Sequence, residues 1–110
     1  MIRVTITRNP DGLIDSFTIR GHAGFAPHGE DIVCAGVSAV TVGAVNAIEA
    51  LTGVSLDSKV KDGFLNGFVP RLQDTRQIEQ VQLLLESMIV SLKTIEDSYG
   101  TYLQINERNK

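Results

Sequence analysis

The sequence predicts an α+β domain in which two long helices pack on a mixed, mainly antiparallel sheet, in the order ββαββαβ. Three observations carry that prediction. Short runs alternate apolar and polar residues, the period of a half-buried strand, near both ends of the chain and in its middle. Two longer stretches carry apolar residues at helical spacing instead. The turn sequences Asn9-Pro10-Asp11-Gly12 and Asp62-Gly63 join neighbouring strand-like runs closely enough to require antiparallel hairpins. At 110 residues, the chain has the length of one domain with one core, so residues 1–110 are read as a single domain.

The elements follow in order. Ile2, Val4 and Ile6 alternate with Arg3, Thr5 and Thr7 in the first strand. The second, Leu13 to Arg20, places Asp15, Phe17 and Ile19 on one face and Ser16, Thr18 and Arg20 on the other. Gly21 to Glu30 (GHAGFAPHGE) is too rich in glycine and proline for regular structure, yet it holds both histidines of the chain. Asp31 is a good N-cap for a helix running to about Leu51, ahead of Thr52-Gly53. That helix is apolar nearly all round, which predicts cover on most sides. Its Ala35, Ala39, Gly43 and Ala47 recur every four residues as a ridge of small side chains. Such a ridge suits close approach of the chain's own sheet or of a partner helix across a dimer, and packing rules favour the sheet.

Leu56 to Lys61 and Phe64 to Pro70 form the next hairpin around Asp62-Gly63. Asp74 or Thr75 caps the second helix, whose apolar stripe is Ile78, Val81, Leu85, Met88, Leu92, Ile95 and Tyr99. Gly100 ends it, and Thr101, Leu103 and Ile105 alternate in a last strand.

Composition narrows the function classes. Ten basic and thirteen acidic side chains give a formal charge of −3, without the basic surplus of a general nucleic-acid binder. Four Phe, two Tyr and no Trp make a base-stacking platform an unpromising assignment. The single cysteine excludes an intrachain disulfide and a multi-cysteine zinc site, so a reducing, cytoplasmic location is expected. The N-terminus has no apolar leader segment, and the greasy stretch Ile32 to Ile48 is shorter than the roughly 20 residues of a spanning helix. Neither a membrane nor direct nucleic-acid binding is therefore expected.

With Asp31 as N-cap, Cys34 is the third residue of the helix. Unpaired backbone N–H groups and the positive end of the helix dipole favour negative charge on sulfur there. An imidazole from His22 or His28 folding back over the helix start would complete the ion pair used by cysteine nucleophiles, and the same N–H groups could hold an oxyanion. A buried cysteine in an apolar helix is also a common inert packing residue, and spacing alone leaves both possibilities open. His22, His28 and Cys34 fall at equal six-residue intervals, with Glu30 and Asp31 nearby. Three such ligands would make a catalytic-type zinc site, but the spacing matches no common metal motif, so no metal and no cofactor is assigned.

Gly21-His22-Ala23-Gly24, followed after a short glycine-containing loop by Gly29-Glu30-Asp31-Ile32-Val33-Cys34-Ala35-Gly36-Val37-Ser38, resembles the signature of the ribosomal-processing cysteine protease (Prp) family. The resemblance extends over the whole chain in length and element order. It implies a cysteine endopeptidase that removes the N-terminal extension of a bacterial large-subunit ribosomal protein, the twenty-seventh. Cleavage falls after an aromatic pair and before Ala, and family members form homodimers. Carried onto this sequence, Cys34 is the nucleophile and His22 the general base. Asp31 and Ser38 also match the motif. Asp31 would cap the helix, orient His22, or both; Ser38, one turn on, would hydrogen-bond in the site or back to the carbonyl of residue 34. Gly21, Gly24 and Gly29 would let the loop approach a substrate, and their flexibility suggests a lid. Phe25 would line the pocket for substrate aromatics or fold onto the core. His28 receives no catalytic role. The competing class is a non-enzymatic ribosome-assembly binding protein.

Overall fold

The computed structural model describes residues 1–110. The elements are β1 (Ile2–Arg8), β2 (Ile14–Arg20), α1 (Ile32–Thr52), β3 (Asp57–Lys61), β4 (Phe64–Phe68), α2 (Thr75–Tyr99) and β5 (Leu103–Asn109), the expected order. One sheet runs β3-β4-β2-β1-β5, antiparallel throughout except where β5 lies parallel to β1. The alternation in β1 buries Ile2, Val4 and Ile6 and leaves Arg3 exposed. These side chains join Phe17, Leu65 and Leu103 from the sheet, Val33, Val37 and Ile48 from α1, and Val81, Leu85 and Leu92 from α2 in one core. Both helices thus cover the same sheet face, the α+β arrangement predicted. Gly67 in β4 makes room for the core's largest ring, since a Cβ there would stand 2.5 Å from Phe17 Cζ.

Four local expectations are corrected. In β2, Ile14 rather than Asp15 accompanies Phe17 into the core. The cause is a register shift: Thr7 opposes Ser16 but Arg8 opposes Ile14, so Asp15 is an extra residue that resets the alternation. Asp15 instead pairs with Lys110 at 2.8 Å. In α1, the small-residue ridge does not face the sheet. Ala35, Ala39 and Gly43 are exposed and Ala47 is half-buried, while Val33, Val37, Thr41 and Ile48 form the packing face. A two-layer fold covers one side of each helix, and the ridge lies off that side. The helix also has 21 residues, making it long and apolar enough by length and composition to cross a membrane, contrary to the shorter estimate from Ile32 to Ile48. In α2, Ile89 joins the buried stripe, whereas Ile78, Ile95 and Tyr99 are only half-buried.

The helix limits follow their caps. Asp74 accepts hydrogen bonds from the Arg76 and Gln77 N–H groups at the start of α2, and Gly53 closes α1 in the left-handed conformation with φ 76°. At the far end of the sheet, Arg8 donates to both Glu86 oxygens (3.0 and 2.8 Å) and to Glu107, joining β1 to α2 and β5. Those hydrogen bonds hold the Glu86 carboxyl below its ordinary pKa, so this contribution is present above the ordinary carboxylate range and is lost as pH falls through the folded value. Replacing Arg8 by Met is expected to lower stability by about 1–2 kcal/mol at low salt and by less at high salt. Thermal melts at two ionic strengths measure this; a salt-independent loss would assign the effect to packing of the arginine stem.

Candidate active site

A cavity of about 600 Å³ opens between the start of α1, the loop after β2, and the β3–β4 turn. Its lining includes His22, Asp31, Cys34, Ser38, Lys61 and Phe64. The fold therefore brings the expected nucleophile and base to one concave site, although they lie on different elements.

Cys34 occupies the third position of α1, as its spacing from Asp31 requires. The thiol is free and half-buried, and its Sγ accepts a hydrogen bond from the Ala23 N–H at 3.3 Å. The residue following His22 therefore contacts the sulfur directly. The His22 imidazole makes no hydrogen bond to Cys34. Its ring rests instead on the β3–β4 turn, where a Cβ at position 63 would stand 2.7 Å from Nε2. Gly63 is required there twice over, by the imidazole and by its own φ of 69°. Gly21, with φ 94°, has a similar double requirement because a Cβ would run into the Met1 carbonyl. Its N–H donates to the Gly63 carbonyl at 2.9 Å, tying the histidine segment to the turn.

Asp31 is a cap and a clamp. Its Oδ1 accepts from the Val33 and Cys34 N–H groups at 2.9 and 3.0 Å. Its Oδ2 accepts from Phe25 and Ala26 at 2.9 and 3.3 Å. Both oxygens are engaged by backbone, and Asp31 makes no hydrogen bond to His22. Burial would raise its pKa, but these four donors prevail and hold it below the ordinary carboxylate value. A further consequence concerns the oxyanion. The Val33 and Cys34 N–H groups, expected from the sequence to be open, are taken by this carboxylate, and the Ala35 N–H donates to the Asp31 carbonyl.

The clamp also fixes the first half of the loop, which is therefore more firmly seated than a free lid. Phe25 packs edge-on against Tyr99 and Tyr102, with ring centroids 5.8 and 5.3 Å away, and is not part of the cavity lining. Gly21, Gly24 and Gly29 do line it, as does His28. Ser38 faces the cavity with its hydroxyl unbonded, whereas Thr41, three residues further on, bonds back to the Val37 carbonyl. Replacing Asp31 by Ala is expected to free the Phe25 and Ala26 amides, with their hydrogen exchange rising well above wild type. Because the folded pKa is depressed, the clamp holds above the ordinary carboxylate pKa and is lost as pH falls through the folded value. The wild type should then approach the variant in acid; equal protection of these amides in both proteins at neutral pH would refute the clamp.

The hairpin residues Lys61, Asp62 and Gly63 were not expected at the site. Their Asp-Gly turn was legible, but its location depends on β4 pairing with β2, through Arg20 opposite Phe64. Arg20 also stacks over the Phe64 ring at 4.9 Å. The zinc set considered from spacing is corrected as well: His22 and His28 come together with Asp62, and Cys34 is not in that group.

Known proteins resemble this chain in both sequence and fold. The family model for cysteine protease Prp matches residues 1–104. A ribosomal processing cysteine protease Prp from Bacillus subtilis is 47% identical over 107 residues, covering 96% of each chain. Its Staphylococcus aureus counterpart is 44% identical over 108 residues, covering 96% of this chain and 98% of that one. A crystal structure of the S. aureus protease with a covalently linked product peptide superposes with a TM-score of 0.89 at 38% identity, covering 98% of this chain and all of that one. A second, with a substrate peptide, gives 0.83 at 39% identity, with 98% of this chain and 100% of that chain covered.

Proposed function

Because the chain belongs to the cysteine protease Prp family and is a cysteine protease, we propose that Cys34 and His22 act as its catalytic dyad on a ribosomal-protein extension. The observation that carries this is the presence of the only thiol and His22 in one cavity, with Sγ held by the residue next to that histidine. His22 accepts the Cys34 proton as sulfur bonds to the scissile carbonyl carbon. The resulting tetrahedral oxyanion draws on N–H groups that the structure leaves unengaged along the lining, those of Gly24 and Gly29 among them, rather than on the helix start. The Ser38 hydroxyl is a further donor. The C–N bond then breaks, His22 returns its proton to the leaving amine, and water hydrolyses the thioester. The covalent peptide in the S. aureus structure supports an acyl-enzyme route.

The substrate in this proposal is the N-terminal extension of the twenty-seventh large-subunit ribosomal protein, cut after an aromatic pair and before Ala. The ribosomal processing role of the relatives supports the substrate class, and the apolar part of the lining, Ile19, Val37, Val60 and Phe64, suits aromatic side chains. The site of action is the cytoplasm, where that substrate is made. Incubation with a peptide spanning the junction, read by mass, tests the assignment. Products broken between the second aromatic and Ala support it; a stable complex without products would instead indicate a binding protein.

The exposed ridge of α1 supports the homodimer. Ala35, Ala39 and Gly43 present small side chains to solvent from an otherwise apolar helix, and a Cβ at Gly43 would meet nothing within 4 Å. Gly43→Arg is therefore expected to leave the fold intact and convert a dimer to a monomer in sedimentation. A monomeric wild type, or an unaffected dimer, would remove this face from the interface.

A further inference from the structure

We propose that His22, His28 and Asp62 bind a zinc-class divalent ion, which holds the protease inactive by occupying the imidazole of its base. One ligand atom from each residue lies within 4.8 Å of the other two. Neighbouring ligands around tetrahedral zinc lie roughly 3.3 Å apart at bond lengths of about 2.0–2.2 Å. Exposed side chains can close that gap by small rotations. The rings of His22 and His28 already meet edge to face at 5.8 Å.

The three side chains come from two segments, the loop after β2 and the β3–β4 turn, that the fold ties together. The Gly21 N–H to Gly63 carbonyl bond fixes His22 beside the turn carrying Asp62. The loop bearing His28 is bracketed by the Asp31 clamp on Phe25 and Ala26 and by the Glu30 N–H to Pro27 carbonyl bond at 2.9 Å. Neither imidazole makes a hydrogen bond, and Asp62 makes no ion pair, so binding breaks no bond in the protein. Two imidazoles and one carboxylate favour zinc and its neighbours over magnesium or calcium. They leave one coordination position for water. A metal-bound His22 nitrogen has no lone pair for the Cys34 proton, so the ion would block thiol activation. The ion is inhibitory in this arrangement, and no step of peptide cleavage passes through it.

Calorimetry with zinc chloride on the Cys34→Ser protein tests the site with no thiol present. One ion per chain is expected, with affinity about tenfold or more weaker after His28→Ala or Asp62→Asn, given that even outer-shell partners of metal ligands are worth 10–100-fold. Magnesium chloride should give no binding. No zinc binding to Cys34→Ser, or binding unchanged by the two substitutions, overturns the site. The inhibitory half rests on His22 being the base. Peptide cleavage is therefore measured for each Cys34-containing protein against its own zinc-free rate. Zinc should inhibit reversibly, with chelator restoring activity and the inhibitory concentration rising about tenfold in His28→Ala and Asp62→Asn. Equal inhibition of all three would mean capture by the thiol and would overturn that half, while calorimetry reports on the ion site independently of the dyad.

Discussion

Cys34→Ala is expected to abolish peptide cleavage while leaving a folded protein. No other side chain of the chain can supply a thiolate, because Cys34 is its only cysteine. Loss of a triad nucleophile elsewhere lowers kcat by about 10⁶, and a fall on the order of 10⁴ or more is the minimum compatible with covalent catalysis here. The structural cost is small. Alanine suits the first turn of α1, the Asp31 cap on the Val33 and Cys34 N–H groups uses no side-chain atom of residue 34, and one contact from the Ala23 N–H to sulfur is lost. That single bond is worth about 1 kcal/mol. Cleavage read by mass, alongside a circular dichroism melt, separates the outcomes. Near-normal product from a folded Cys34→Ala protein would sink the mechanism, whereas loss of the melt would show that the variant tests folding instead. Cys34→Ser, which keeps the size and a weak acceptor for Ala23, provides the second test. It too should be inactive, since a serine hydroxyl is a far weaker nucleophile at neutral pH.

Local chemistry makes much of this site legible in the sequence. Asp31 announces a helix start, and counting from it places Cys34 in the first turn, where the structure has it. Turn and alternation signals similarly identify both hairpins. The missing information concerns partners distant in sequence. Nothing in the period of β4 says that it pairs with β2, and that pairing alone brings the Asp62-Gly63 turn beneath His22. The helix N–H groups are a different case: the Asp31 cap legible in the sequence already implies that Val33 and Cys34 are engaged, and what depends on the distant loop is the clamp made by its other oxygen. The exposed ridge of α1 has the same origin. Periodicity gives the four-residue repeat of Ala35, Ala39 and Gly43, but the orientation of the helix on the sheet decides whether that repeat is covered. In β2, one extra residue at Asp15 overrides a correct period because the ladder, rather than the alternation, sets which side chain points inward.

His22→Ala is expected to lower kcat by about 10²–10⁴-fold, the usual worth of a positioned acid–base group, with the melting temperature almost unchanged. Two features separate these effects. The imidazole is exposed and makes no hydrogen bond, so its removal leaves no buried group unsatisfied. The backbone that positions it is secured independently, by the Gly21 N–H to Gly63 carbonyl bond and the Ala23 N–H to Cys34 sulfur bond. The segment should therefore keep its course without the ring. In the structure the ring lies against the turn rather than on the thiol, and catalytic hydrogen bonds commonly tighten only when substrate is bound. The loss should consequently fall on kcat more than on KM, and added imidazole should recover part of the rate by diffusing into the cavity vacated beside Gly63. An unchanged kcat in His22→Ala would exclude this histidine as the base and leave His28, the only other histidine and its edge-to-face neighbour, to be tested in its place.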